Sequence, residues 1–126
     1  MPAVLIVGLG GFLGAAARYV LGAAIHRRLG EAFPYGTLAV NVLGCLAIGF
    51  VLHYADDRAS VGPGARLFLV TGILGGFTTF SAFGAETLSL LRDRGFGPAA
   101  LNISADLLLG LAAVWLGRTI PRGLAG

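Results

Sequence analysis

Four long apolar stretches dominate this chain and limit what it can fold into. They cover residues 3–25, 36–54, 66–91 and 97–117, and only short segments separate them. A helix needs about 20 apolar residues to cross the ~30 Å hydrocarbon core of a bilayer, and each stretch is close to that length. The sequence therefore predicts an all-α membrane protein in which residues 1–126 form a single domain of four transmembrane helices.

The composition disfavours soluble classes of protein. Hydrophobic residues make up 56% of the 126 residues, charged residues make up 12%, and the mean hydropathy is +0.85. A typical soluble domain is about 25% charged. The net charge of +3 could indicate a nucleic-acid partner, but the nine basic residues, all arginines, are scattered along the chain. Nucleic-acid binding needs a clustered basic face, so we expect neither a nucleic-acid partner nor an enzyme.

Glycine is unusually frequent, at 21 of 126 residues. In a bilayer, small residues let helix backbones approach closely, and packing rather than hydrophobic burial holds the helices together. Small residues recur four positions apart at Gly10 and Gly14, at Gly72 and Gly76, and at Ala113 and Gly117. This spacing predicts close helix pairs.

Eight of the nine arginines are divided equally between the two sides of a four-span topology, and the ninth, Arg18, lies inside the first stretch. One side carries Arg58, Arg66, Arg118 and Arg122, and the other carries Arg27, Arg28, Arg92 and Arg94. The imbalance of basic residues in short loops sets the orientation of a membrane protein, and here there is no imbalance. The chain is therefore expected to insert in both orientations, which makes an antiparallel, dual-topology dimer possible.

The third stretch contains a poor helix-forming segment, Gly75-Gly76-Phe77-Thr78-Thr79. Glycine and β-branched residues disfavour helix, so the third helix is predicted to break in the middle of the membrane. Irregular backbone at that depth persists only where protein or a polar cavity satisfies it. Converging carbonyl oxygens are natural ligands for a cation.

Polar residues inside apolar stretches are costly and therefore mark candidate functional positions. They are Arg18, Asn41, Thr71, Thr78, Thr79, Ser81, Glu86, Asn102, Ser104 and Asp106. Spacing alone leaves structural roles open: Asn41 could bond a neighbouring helix, and the long side chain of Arg18 could reach the interface. Phe80 and Phe83 share one helical face and could simply pack.

Three segments resemble the signature blocks of the bacterial fluoride channels of the Fluc/CrcB family. They are Gly-Gly-Phe-Leu-Gly-Ala-Ala-Ala-Arg-Tyr at 10–19, Gly-Thr-Leu-Ala-Val-Asn-Val-Leu-Gly at 36–44 and Gly-Ile-Leu-Gly-Gly-Phe-Thr-Thr-Phe-Ser-Ala-Phe at 72–83. The resemblance implies a channel in the bacterial inner membrane that exports fluoride passively and relieves its toxicity. It also implies an antiparallel dimer, formed with a second copy or with a paired homologous subunit.

The resemblance implies a structural sodium ion at the centre of that dimer. The backbone carbonyls of Gly75 and Thr78 would bind it, two from each subunit. Arg18 and Glu86 would lie near the pore mouth.

The resemblance also implies the residues of the fluoride pore. The ring edges of Phe80 and Phe83 would face the anion, and the amide of Asn41 would donate to it. The hydroxyls of Thr79 and Ser81 would continue the polar path.

Asp106 departs from the family pattern, which has a small hydroxyl residue at this position. An ionised carboxylate would repel fluoride, so we expect Asp106 to be protonated, paired, for example with an arginine, or turned away from the pore.

Two other functions remain open at this point. A proton-coupled small multidrug exporter is also a dual-topology dimer of four-span chains, but it relies on a carboxylate in the first span, where this chain has none. A packing subunit without transport activity would explain the glycines but not the interrupted third stretch.

Overall fold

A computed structural model describes residues 1–57 and 60–125, and all regular structure in these ranges is helical. The helices are α1 (Ala3–Leu29), α2 (Tyr35–Leu52), α3 (63–77), α4 (Phe80–Arg94) and α5 (Phe96–Ala125). A π-helical turn, His53–Asp57, continues α2, and α3 is π-helical over Leu67–Leu74. Arg58, one of the arginines counted above, lies outside the described residues.

Four helical regions are long and apolar enough to cross a membrane: Ala3–Leu29, Tyr35–Asp56, Pro63–Arg94 and Phe96–Leu124. This confirms the predicted all-α class with four potential membrane spans. Each region extends beyond the apolar stretch inside it, because the helices continue through charged residues whose long side chains can reach the interface. The third region consists of α3 and α4.

Glycines bring α1 and α3 into backbone contact. A Cβ atom built on Gly10 would lie 2.8 Å from the Cα of Gly72, and one on Gly76 would lie 2.6 Å from the carbonyl oxygen of Gly11. A Cβ on Gly14 would overlap the carbonyl of Ile73. The close packing predicted from the glycine spacing is therefore confirmed for this helix pair.

The second close pair is α2 with α5. A Cβ on Gly49 would overlap the carbonyl of Val114, and one on Gly117 would overlap that of Leu46. Ala113, four residues before Gly117 on α5, is also buried. Not every glycine serves packing within the chain, however, since a Cβ on Gly8 would meet no atom within 4 Å.

The chain reverses direction at two glycines with positive φ, Gly30 at 84° and Gly95 at 93°. Other residues are strained in this conformation, so each glycine ends its helix, α1 or α4. The guanidinium of Arg94 donates to the carbonyl of Ala32 at 2.8 Å. The connections after α1 and after α4 therefore lie at the same end of the bundle.

We predict that Gly14→Ala destabilises the protein by about 1–3 kcal/mol, the usual range for overpacking, because the new methyl group would collide with backbone that cannot move aside. Thermal unfolding of the detergent-purified protein measures the change. Gly8→Ala is the matched control and should leave the unfolding temperature unchanged or slightly higher. Equal stability of the two variants would contradict the backbone contact.

Candidate functional site

Two residues with extended backbone, Thr78 and Thr79, separate α3 from α4. Thr78 has φ −85° and ψ 158°, and Thr79 has φ −149° and ψ 120°. The Oγ1 atom of Thr78 donates to the carbonyl of Leu74 at 3.0 Å, and the backbone N–H of Ala82 donates to Oγ1 of Thr79 at 3.2 Å. The two threonines thus use their hydroxyl groups to complete the end of one helix and the start of the next.

The side-chain amide of Asn41, on α2, holds the extended segment. The backbone N–H of Thr79 donates to Oδ1 of Asn41 at 2.8 Å, and Nδ2 of Asn41 donates to the carbonyl of Thr79 at 3.1 Å. Asn41 therefore satisfies the backbone of Thr79 much as a neighbouring β-strand would. Gly44, one turn further along α2, makes room for this approach, because a Cβ there would overlap the methyl group of Thr78.

The interruption redirects the amides that would otherwise bond two carbonyls. In a continuous helix the carbonyl of Gly75 accepts from the N–H of Thr79, and that of Thr78 accepts from the N–H of Ala82. These two N–H groups donate instead to Asn41 Oδ1 and to Thr79 Oγ1. Gly75 is also exposed in the single chain. Both carbonyl oxygens are thus freed from the helical pattern.

Arg18 makes a contact that the sequence did not predict. Its Nε atom donates to the carbonyl of Gly76 at 3.1 Å, in the last turn of α3. A positive charge at the carbonyl end of a helix is favourable, because that end carries a partial negative charge. The four-residue spacing of Gly10, Gly14 and Arg18 could have indicated this contact, because it places all three on the face of α1 that packs against α3.

Two cavities flank the bonded pair Asn41 and Thr79. The first, which we call the break cavity, has a volume of about 380 Å³. Its lining includes Asn41, Gly75, Thr78, Thr79, Phe80, Phe83 and Asp106. The second, the vestibule cavity, has a volume of about 400 Å³ and a lining that includes Arg18, Thr37, Thr79 and Glu86. Thr79 contributes to both.

The aromatic residues of the break cavity lie side by side. The ring centroids of Phe80 and Phe83 are 5.5 Å apart, with an angle of 43° between the ring planes. Phe80 is 81% exposed in the single chain. Its ring is therefore free to contact lipid or another chain.

Two carboxyl groups lie at the edges of these cavities. Oε1 of Glu86 accepts from the hydroxyl of Thr37 at 2.9 Å, and Oδ1 of Asp106 accepts from Nδ2 of Asn41 at 3.2 Å. The second oxygen of each carboxyl group is buried and has no hydrogen-bond partner among the described residues. Asp106 is thus paired with an amide rather than with an arginine.

The structure brings most of the predicted site residues together but divides them between the cavities. The predicted sodium ligands and the aromatic pair share the break cavity with Asn41. Arg18 and Glu86 share the vestibule cavity, and Ser81 is exposed, with its hydroxyl 3.3 Å from that of Thr79. The sequence did not predict Thr37 as the partner of Glu86. Thr37 lies one turn before Asn41 on α2, and this position on the same helical face could have indicated it.

The family described as "CrcB-like protein, Camphor Resistance (CrcB)" matches residues 5–118 of this chain. The chain belongs to the CrcB family. The match covers nearly all of α1, the whole of α2 to α4 and most of α5. It therefore includes every residue of the two cavities and confirms the resemblance found in the three motifs.

Curated CrcB relatives match the chain over nearly its whole length. A protein of Opitutus terrae is 47% identical over 98% of this chain and 96% of its own length. Proteins of Solibacter usitatus and Acidobacterium capsulatum are each 47% identical, over 94% and 90% of this chain and 97% and 91% of their own lengths. Each of the three carries the name "Fluoride-specific ion channel FluC". With its four apolar helices, this CrcB chain is a multi-pass membrane protein.

We predict that Arg18→Gln destabilises the protein by about 1–2 kcal/mol, because it removes a charge-assisted hydrogen bond to the end of α3. Thermal unfolding in detergent measures the loss. Arg27→Gln is the control, since Arg27 is exposed on the same helix. An equal effect of the two substitutions would mean that the contact with Gly76 contributes nothing specific.

Proposed function

We propose that this protein is a fluoride-selective channel that lets fluoride leave the cytoplasm passively, down its electrochemical gradient, and so relieves fluoride toxicity. The observation that carries the proposal is the 47% identity, over 98% of the chain, to a protein named as a fluoride-specific ion channel. Its relatives are named as channels and not as enzymes. The bacterial inner membrane is the location where such a channel would protect the cytoplasm.

The chemistry of the break cavity suits a small, strongly hydrated anion. Stripping water from fluoride in a low-dielectric pore is costly unless hydrogen-bond donors replace the water. Asn41, Thr79 and Ser81 supply such donors at the interruption, and the positive ring edges of Phe80 and Phe83 add weaker contacts. Conduction needs binding that is strong enough to admit the ion and weak enough to release it. A few donors beside aromatic edges meet both conditions.

Asn41 needs a rearrangement before it can donate to fluoride. Both hydrogens of its Nδ2 atom are engaged, one with the carbonyl of Thr79 and one with Asp106. The bond to Asp106 is the longer of the two, at 3.2 Å. Another acceptor can replace Asp106 without breaking the bonds between Asn41 and the backbone of Thr79. We infer that fluoride takes the place of Asp106 as the acceptor while the bonds to Thr79 persist.

A second, antiparallel copy would complete the site. In the single chain the ring of Phe80 and the backbone of Gly75 are exposed beside the interruption. The equal distribution of arginines gives neither orientation an advantage. A dimer formed with a second copy, or with a paired homologous subunit, would cover both features.

The backbone carbonyl oxygens beside the interruption are suitable ligands for the sodium ion that the resemblance implies. Hard cations prefer oxygen ligands, and the carbonyls of Gly75 and Thr78 have lost their helical donors to side chains. Two such carbonyls from each of two chains would surround one ion. When bound, sodium would supply positive charge that holds the ends of the interrupted helices together.

The exporter hypothesis has no specific support. Helix α1 contains no acidic residue, and the carboxyl groups of Glu86 and Asp106 lie on α4 and α5.

We predict that liposomes containing the purified protein release fluoride rapidly and chloride slowly, without a proton gradient. Phe80→Ile and Phe83→Ile should each reduce the fluoride flux at least about tenfold, because an aliphatic side chain has no positive ring edge. An ion-selective electrode records both anions. Phe96→Ile is the control, since Phe96 is exposed at the start of α5.

Two outcomes would contradict this function. Efflux that requires a proton gradient would indicate an exporter, and normal flux in both Phe80→Ile and Phe83→Ile would show that the aromatic pair does not contact the ion.

A further inference from the structure

Asn102, on α5, is a buried polar residue to which the proposed channel assigns no role. It is only 1% exposed, and it lines neither of the two cavities. Burying an amide is costly unless it is hydrogen-bonded. Nδ2 of Asn102 donates to Oγ1 of Thr87, on α4, at 2.9 Å, and Oδ1 has no partner among the described residues. The bond to Thr87 is therefore the one that compensates for burying this amide.

Thr87 connects Asn102 to the backbone of Phe83. The hydroxyl of Thr87 donates to the carbonyl of Phe83, four residues earlier, at 2.7 Å. A hydroxyl group has a single hydrogen. Because that hydrogen is engaged with Phe83, the oxygen of Thr87 accepts from Asn102. The two hydrogen bonds therefore run in one direction, from the amide of Asn102 through the hydroxyl of Thr87 to the carbonyl of Phe83.

These two bonds meet α4 at its aromatic residues. Phe80, Phe83 and Thr87 are three and four positions apart, so they share one face of the helix. A threonine hydroxyl that bonds the carbonyl four residues earlier also bends a helix locally, and here that carbonyl belongs to Phe83. Asn102 therefore acts on the backbone that carries the Phe83 ring, although Asn102 does not line the break cavity.

Apolar packing does little to fix the rotation of α4 within the single chain. Of its residues, all of which the structure describes, only Leu90 is buried. Hydrogen bonds hold the helix instead, and one of them joins Glu86 to Thr37 on α2. The next residue, Thr87, bonds Asn102 on α5. Both positions lie about one turn after the aromatic pair, so they fix the rotation of α4 close to the ion path.

We propose that Asn102 and Thr87 are positioning residues of the channel: their hydrogen bonds fix the rotation of α4 at Phe83 and keep its ring directed at the permeating fluoride. The proposal rests on the proposed channel function and deepens it. Neither residue touches the ion, and their effect on conduction passes through the ring of Phe83. The bonds between Asn41 and Thr79 precede α4 and are not part of this arrangement.

Thr87→Val and Thr87→Ser isolate the hydroxyl group, which serine keeps and valine lacks. In fluoride efflux from liposomes, the valine variant should lose at least about threefold, the effect of one hydrogen bond on an equilibrium. The serine variant should stay within about twofold of the unmodified protein, because it retains the donor. Thr119→Val is the control, since the Thr119 hydroxyl also donates to a carbonyl four residues earlier, that of Trp115, but lies outside both cavities.

A double variant separates positioning from stability. Thr87→Val leaves the buried amide of Asn102 without its partner, which destabilises the protein. Adding Asn102→Leu removes that amide, so the double variant should unfold at a higher temperature than Thr87→Val alone. Its fluoride flux should still be at least about threefold low, because no hydrogen bond holds α4 at Phe83. The double variant also provides the test if Thr87→Val alone does not fold.

The ring of Phe83 can be observed directly by fluorine NMR. With para-fluorophenylalanine incorporated at position 83, the resonance should shift in Thr87→Val and in the double variant, and it should return to its original position in Thr87→Ser. The same label at Phe96, which is exposed at the start of α5, is the control and should not respond.

Four results would overturn the proposal. Normal flux in the double variant would mean that the two bonds do not position the ring, and recovery of flux together with stability would mean that they only stabilise the fold. Equal losses in Thr87→Val and Thr87→Ser would mean that the hydroxyl is not responsible. A loss of flux with an unchanged resonance at position 83 would mean that the effect does not pass through the ring. Failure of the unmodified protein to conduct fluoride would instead refute the channel function itself.

Discussion

The paired hydrogen bonds between the side chain of Asn41 and the backbone of Thr79 are the interaction on which the rest of this structure depends. A bilayer offers no water to an exposed backbone N–H or carbonyl, so an interrupted helix survives only if protein groups satisfy it. Asn41 supplies a donor and an acceptor from one amide, at 3.1 and 2.8 Å. Thr78 and Thr79 can therefore remain extended, which frees the carbonyl of Gly75 and starts a new helix at Phe80.

Glycine packing places the groups that hold this interruption. Gly10 and Gly14 bring α1 against α3 so closely that Arg18, one turn later, reaches the carbonyl of Gly76. Gly44 does the same for α2, where the absence of a side chain admits Thr78 and lets Asn41 reach Thr79. The same close helix contacts thus determine how the helices pack and where Arg18 and Asn41 meet the interrupted segment.

The sequence predicted the parts of this arrangement that depend on local pattern. Hydropathy gave the four apolar helices, and the glycine spacing gave the close helix pairs, because both follow from residues near one another in the chain. The partner of Arg18 and the two partners of Asn41 could not be predicted, because they depend on how distant helices meet. Asp106 illustrates the limit: its oddity was visible in the sequence, but its bond to Asn41 joins residues 65 positions apart.

Hydrogen–deuterium exchange at the backbone amide of Thr79 tests the central claim most directly. We predict slow exchange in the unmodified protein and exchange at least about tenfold faster in Asn41→Leu, because opening of this amide is opposed by its bond to Asn41. Asn102→Leu is the control, since Asn102 is buried and bonds Thr87 on α4 instead. Equally slow exchange at Thr79 in the unmodified protein and in Asn41→Leu would contradict the account.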